Sequence, residues 1–327
     1  MFDLNRRHFI TLLGGAAAWP LAAHAQQPAG KPPIIGFLGS DALAWRAWTD
    51  AFVDRLRTLG WVDGSTAKIE YRWSEGQPER AKQLTAEFVR LKTNVIVSAG
   101  TSAVAAKQVT SDIPIVFAIT NDPIGEGLVS SLARPGGNVT GLSSQSFDIT
   151  GKRIELLGEV IPNLRRLAVI FEADFPQAVE EMHEVEAKAH SRGLEVMPLE
   201  IRKAQDIAPA FASLKNQVDA LYIVSGSLTA ANRTRVMIFA LTSRLPTIGM
   251  VREQAQSGAL ISYGANVPSM FRRAAELVDK ILRGTKPGDI PIEQPTKFDL
   301  VLNLMTAEAL GLSIPASIQS RADEVIE

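Results

Sequence analysis

The 327-residue chain contains no cysteine. Disulfides, thiolate metal sites and cysteine nucleophiles are therefore excluded by composition. Histidine is nearly as scarce: there are four, and His8 and His24 fall in the first twenty-five positions. His183 and His190 lie within 177–191, where Val179, Met182, Val185 and Ala189 recur at helical spacing. That periodicity puts both on or beside a solvated face, so neither a histidine metal site nor a Ser-His-Asp triad has support. Charge of one sign is also missing. The formal net charge is −1, and removing residues 1–25, with Asp3, Arg6 and Arg7, leaves 32 basic against 34 acidic residues, or −2. A near-neutral chain without a basic stripe is no natural partner for nucleic acid. There is no G-x-S-x-G elbow and no Walker loop. Gly125-Glu126-Gly127 lacks the third glycine of a dinucleotide fingerprint, and Pro135-Gly136-Gly137 reads as a turn. Paired carboxylates for acid–base chemistry stay open, because they need only proximity in space.

What is present begins with an export signal. Arg6-Arg7 precedes a short apolar run, Phe9 to Trp19, then Pro20 and the small-residue exit Ala23-His24-Ala25. Paired arginines point to the twin-arginine route; a Sec signal has the same overall order. The run is far shorter than the ~20 residues that span a bilayer. Cleavage is expected after Ala25, giving a mature chain that starts at Gln26 and works in the periplasm.

The body alternates short apolar runs with amphipathic segments. Strands are expected at Ile34–Gly39, Ala67–Trp73, Asn94–Ser98, Ile113–Ile119 and Asn138–Ser143, with helices at Leu43–Leu59, Glu79–Leu91, Ser102–Val109 and Gly125–Ala133. The rhythm then restarts. Helices are expected at Thr150–Val160, Pro176–Ser191, Asp206–Asn216 and Ala230–Ser243, around strands at Leu167–Phe171, Leu194–Leu199, Ala220–Val224, Leu245–Met250 and Ala259–Tyr263. Such alternation is the pattern of parallel sheets covered by helices. The fold class is therefore α/β, with two Rossmann-like lobes, 33–145 and 146–264. Segment 265–327, with a strand at Phe298–Asn303 and a helix at Thr306–Leu310, is expected to cross back and pack on both lobes.

In open parallel sheets, ligands sit beyond the carboxyl ends of the strands. Gly100-Thr101-Ser102 joins a strand to a helix there. Thr101 or Ser102 caps that helix, either as a plain cap or with a ligand carboxylate on its free N–H groups. Thr120-Asn121-Asp122 ends the next strand, with Asp122 either a turn residue or a ligand contact. Ser40 follows the first strand. Trp45, close behind it, can line a cleft, whereas its neighbour Trp48 at three-residue spacing reads with it as core. In the second half, Glu172, the Ser225-Gly226-Ser227 loop, Arg252 and Glu253 all follow apolar strands. A carboxylate there would meet an ammonium and Arg252 an acid group, or these residues are solvated surface charges.

Four stretches carry a resemblance: Gly100-Thr101-Ser102-Ala103 through Thr110; Ile113-Pro114-Ile115-Val116-Phe117 through Asp122-Pro123 and Gly127-Leu128-Val129; Arg134-Pro135-Gly136-Gly137-Asn138-Val139-Thr140-Gly141; and Asn303-Leu304 through Ala309-Leu310-Gly311-Leu312-Ser313-Ile314-Pro315 with Arg321-Ala322-Asp323-Glu324-Val325-Ile326. Together they resemble the substrate-binding proteins of the ABC transporter family that includes tryptophan- and other aromatic-amino-acid-binding members. The resemblance implies a class I periplasmic binding fold: two lobes, three crossing strands, and closure on a small molecule. It carries the cleft onto Gly100–Ser102 and Thr120-Asn121-Asp122. Many relatives have an acid near the loop after the strand at Ala220–Val224; here that loop is Ser225-Gly226-Ser227. The implied partners are a small-molecule ligand and an ABC permease with its ATPase, with membrane contact only through the permease. The chain is expected to act as a monomer, with no catalytic residue, cofactor or metal. The rival readings are an exported α/β enzyme using Asp/Glu chemistry and the ligand sensor of a signalling system.

Overall fold

The first element, β1 (Ile34–Gly39), is apolar along its whole length because it is covered on both faces. It is followed by α1 (Arg46–Thr58), β2 (Lys68–Trp73), α2 (Pro78–Leu91), β3 (Val95–Ser98), α3 (Gly100–Val109), β4 (Ile115–Thr120) and β5 (Val139–Ser143). The five strands form one sheet in the order β2-β1-β3-β4-β5, every pair parallel. This computed structural model describes residues 31–214, 217–224 and 226–327, so the segment expected to be an export signal and Ser225 lie outside the described residues.

The second half contains α4 (Thr150–Val160), β6 (Arg166–Glu172), α5 (Pro176–His190), β7 (Glu195–Ile201), α6 (Ile207–Ser213), β8 (Ala220–Ile223), α7 (Ser227–Ala231), α8 (Arg233–Thr242), β9 (Thr247–Gly249), α9 (Arg252–Gln256) and β10 (Ile261–Ala265). Then come α10 (Val267–Leu282), β11 (Phe298–Asn303), α11 (Leu304–Leu310), α12 (Ala316–Gln319) and β12 (Glu324–Ile326). Seven strands make the second sheet, β12-β11-β10-β9-β8-β6-β7, parallel except for the β10–β11 pair. No helix among the described residues is long and apolar enough to cross a membrane.

The chain passes between the sheets three times. It leaves the first after β5, and α4 packs in the core of the second. It returns between β10 and α10, whose buried Val267, Met270, Phe271, Ala274, Ala275, Val278 and Ile281 join the core under the first sheet. Ile290 and Glu293 then pair with β5, through the Thr140 hydroxyl and a bridge to Leu142, before β11 rejoins the second sheet. Asn266 caps α10 by accepting from the Ser269 N–H at 2.9 Å, and Pro268 suits its first turn, where no N–H is needed.

Three expectations are corrected. Gly125–Ala133 is not a helix: Asp122 binds the N–H groups of Ile124 and Gly125, and Gly127 turns left-handed (φ 68°), so a single turn forms and stops. The helix expected over Ala230–Ser243 is two, broken at Asn232, whose side-chain amide bonds the Leu228 carbonyl. Helix α3 starts at Gly100, so Thr101 and Ser102 lie in its first turn rather than capping it.

Candidate ligand-binding cleft

The strands of both sheets end on a common cleft. Its cavity of about 160 Å³ is lined from the first lobe by Ser40, Trp45, Trp48, Gly100, Thr101, Ser102, Thr120, Asn121 and Glu126, and from the second by Phe175, Gly226, Ser227, Arg233, Met250, Val251 and Gln254, among others.

One wall is aromatic. Trp45 and Trp48, one turn apart at the start of α1, have ring centroids 5.6 Å apart. Phe271 of α10 stacks on Trp48 at 5.8 Å and meets Trp45 edge-on at 5.7 Å; Phe37 of β1 completes the group. Both indoles are therefore fixed by core rings behind them while their front edges face the cavity.

A second wall is the start of α3. Ala99 is extended and makes no side-chain cap, and Gly100 takes a left-handed φ of 51°. The first amides of the helix are thus left for water or a ligand, at its positive end. The Ser102 hydroxyl meets Ser74 Oγ at 3.2 Å, and Ser74 lies within bonding distance of the Gly39 carbonyl, so buried hydroxyls brace this turn from behind.

Beyond β4, Asn121 accepts from the Ser144 hydroxyl at 2.9 Å. Thr120 is buried, and its hydroxyl meets Glu126. Glu126 returns from the turn toward this strand end. Its Oε1 accepts from the Asp122 N–H at 3.3 Å, and its Oε2 is buried. Burial pushes its pKa above the ordinary carboxylate value, against the opposing pull of the nearby Thr120 hydroxyl and the Asp122 and Asn121 amides.

The structure does not bring every expected residue to the cavity. Asp122 is spent on its turn. Glu172 accepts from the Leu228 N–H at 3.1 Å and caps α7 from behind the Gly226-Ser227 loop; burial raises its pKa. Arg252 is drawn aside into an ion pair with Glu324 of β12. Glu253 accepts from Trp48 Nε1 at 2.6 Å and so ties the second lobe to the first beside the cavity. Ser40, Trp45, Gly100, Thr101, Ser102, Thr120, Asn121, Gly226 and Ser227 all reach the lining. Trp48, Glu126, Phe175, Arg233 and Gln254 also line it without having been singled out. A cue existed for Trp48, one turn from Trp45; the other four stand in turns or helices downstream of the strand ends, where only tertiary packing reveals them.

The lobes touch across the cleft. Besides the Trp48–Glu253 bond, a Cβ placed on Gly76 would lie 2.9 Å from Ser227 Oγ. The walls are therefore closed on the cavity.

Comparison with known proteins agrees with this geometry. The profile of the family described as ABC transporter substrate binding protein matches residues 33–326. The chain belongs to that family. This substrate-binding protein is 29% identical over 263 residues to a tyrosine-binding protein of Clostridioides difficile, covering 80% of this chain and 75% of the relative. It superposes with TM-score 0.84 on a Streptococcus ABC domain in complex with L-Trp, at 24% identity over 90% of this chain and all of that one. A ligand-free, open substrate-binding protein with adhesive properties from Clostridium difficile gives TM-score 0.67 at 26% identity, over 90% of this chain and 99% of that one. The fold is the class I periplasmic binding type, and the family implies a small-molecule ligand and an ABC transporter system.

Proposed function

We propose that the chain is the exported solute receptor of an ABC importer, that it acts as a monomer in the periplasm, and that it binds a small organic molecule with an apolar body and an acid group. Amino acids, aromatic acids and small carboxylates are the candidate class. The observation that carries this reading is the pairing of a fixed aromatic wall with an uncapped helix start inside a closed two-lobed cleft. The indole edges that front the cavity take the apolar body. The α3 amides and Arg233, whose Nε donates to Ser257 Oγ at 3.0 Å, suit the acid. The tyrosine-binding relative supports an amino-acid-sized ligand.

Binding without turnover is supported by where the reactive groups lie. His183 and His190 stand on the exposed face of α5. Three expected carboxylates are held by backbone amides or by Trp48. Ligand would be caught by one lobe and enclosed by the other, and the closed form would dock on the permease.

The test is a thermal-shift and calorimetric screen of chain 26–327 against L-tryptophan, L-tyrosine, L-phenylalanine and aromatic monocarboxylates. A true ligand at a hundredfold excess over its dissociation constant stabilises by about 2.7 kcal/mol. It should be recovered unchanged by mass spectrometry. If no compound shifts the transition, the receptor reading falls; if a ligand is consumed, the enzyme reading replaces it. N-terminal sequencing of exported protein should begin at Gln26.

A further inference from the structure

Donors and acceptors are unevenly divided around the cavity. Among the described lining residues the cation is Arg233, from α8 of the second lobe, and the carboxylate is Glu126, from the turn after β4. Arg233 is oriented but not neutralised. Its Nε donates to Ser257 Oγ at 3.0 Å, and that hydroxyl donates in turn to the Glu253 carbonyl at 2.8 Å. No carboxylate among the described residues pairs with it, so the donors on its two terminal nitrogens stay free for a guest.

The strong acceptors are turned inward instead. Glu126 Oε1 accepts from the Asp122 N–H at 3.3 Å, and Oε2 is buried against the Thr120 hydroxyl. Asn121 Oδ1 accepts from the Ser144 hydroxyl at 2.9 Å. Gln254 Oε1 accepts from the Met250 and Val251 N–H groups at 2.7 and 3.1 Å. The Thr229 hydroxyl donates to the backbone carbonyls of Val224 and Gly226.

This division sorts ligand charges. A carboxylate can meet Arg233 through parallel N–H bonds, and the open amides at the start of α3 favour the same sign. An ammonium has three donors and accepts nothing. In this cavity it would face acceptors already engaged and share the space with the Arg233 charge. The indoles do not rescue it. Cation–π attraction needs a ring face, and Phe271 stacks on Trp48, while the edges that front the cavity carry the positive end of the ring quadrupole. Neutral hydroxyls alone do not replace the water that a buried cation loses.

Resting on the receptor reading above, we infer that the cleft takes a monocarboxylate with an apolar, aromatic body and no ammonium, that Arg233 holds the carboxylate, and that the protein discriminates against the corresponding α-amino acids. Ser257 is then a positioning residue for the guanidinium, through its bond to Nε.

The experiment pairs a change in ligand with a change in protein. Calorimetric affinities of the 26–327 chain are measured for 3-indolepropionate against L-tryptophan, 3-(4-hydroxyphenyl)propionate against L-tyrosine, and 3-phenylpropionate against L-phenylalanine. The wild type should bind at least one acid, and each acid that binds should exceed its amino partner by about tenfold or more, the scale set by leaving a buried charged group unmatched. Arg233→Gln should weaken that acid by about tenfold or more, and Arg233→Lys, which keeps the charge, should restore part of the loss. Asn121→Asp keeps Oδ1 for Ser144 and adds a negative charge at the cavity, so it should weaken the acid and narrow or reverse the preference. Unfolding transitions of the variants confirm that they fold. Equal affinity within every pair, tighter binding of the amino compounds, or an acid affinity that Arg233→Gln leaves intact overturns the assignment while the receptor reading stands. Absence of binding by all six compounds overturns both.

Discussion

At the scale of single residues, Glu126 has a consequence that needs no ligand. Burial raises its pKa above the ordinary 4.5, and the neighbouring Asp122 charge pushes the same way. The native chain then holds this proton more tightly than the unfolded chain does. Stability therefore falls as pH rises from about the unfolded value through the native one, and the penalty is complete above it. Glu126→Gln removes that penalty. The ligand-free variant is expected to melt higher than wild type at pH 7, with the difference shrinking as pH falls through the raised native pKa toward 4.5 and essentially gone below it; calorimetry across that range checks it. Glu172 has a raised pKa of the same sign but is present in both proteins, so it cancels in the difference. Trp48 gives a second case. Its Nε1–H is the donor to Glu253 across the cleft. Trp48→Phe keeps most of the ring stack and removes that bond, so ligand affinity should fall about tenfold or more, mainly through faster release in stopped-flow traces.

At the scale of elements, what the sequence revealed and what it hid divide along a physical line. β1 and β11 begin and end where their apolar runs do, and α4 where its stripe does, because local patterning decides them. The turn after β4 reads wrongly because apolar content over Gly125–Ala133 outweighs a turn that Asp122 and Gly127 fix between them. Helix α10 is the main omission. No element was expected between Tyr263 and Pro291, although the apolar residues Val267, Met270, Phe271, Ala274, Val278 and Ile281 make a regular stripe. A stripe announces a helix but not which sheet it covers, and this one serves the lobe that the chain left more than a hundred residues earlier. The site follows the same division. Residues at strand ends were legible from topology, whereas Glu126, Phe175, Arg233 and Gln254 arrive by packing. Phe271 shows how much rests on α10. It is fully buried and backs both indoles. Phe271→Ala should cost about 3–5 kcal/mol in denaturant melts and weaken ligand binding as the tryptophans lose their support.

At the scale of the molecule, two sheets joined by three passes of chain can rotate about those passes while each keeps its own core. The buried Arg153 guanidinium bonds Ser146 Oγ at 3.1 Å, the Tyr222 hydroxyl at 2.8 Å and the Tyr263 carbonyl at 2.8 Å, so the first pass is anchored firmly on the second lobe. Motion is then concentrated before Ser146. The closed state described here is held across the cleft by few direct contacts, and ligand must supply the rest. Solution scattering should therefore give a larger radius of gyration for the empty protein than for the saturated one. Identical curves would mean that the two halves do not move.

The return of α10 also bears on how the protein is made. The aromatic floor beneath Trp45 and Trp48 is completed by a side chain near position 270, so the half that leaves the ribosome first must wait for one of the last helices before its interior closes. Domains usually mature in order of synthesis. Here a nascent chain cut short before Val267 would carry its leading half unfinished, an open apolar trough that quality-control proteases should find quickly.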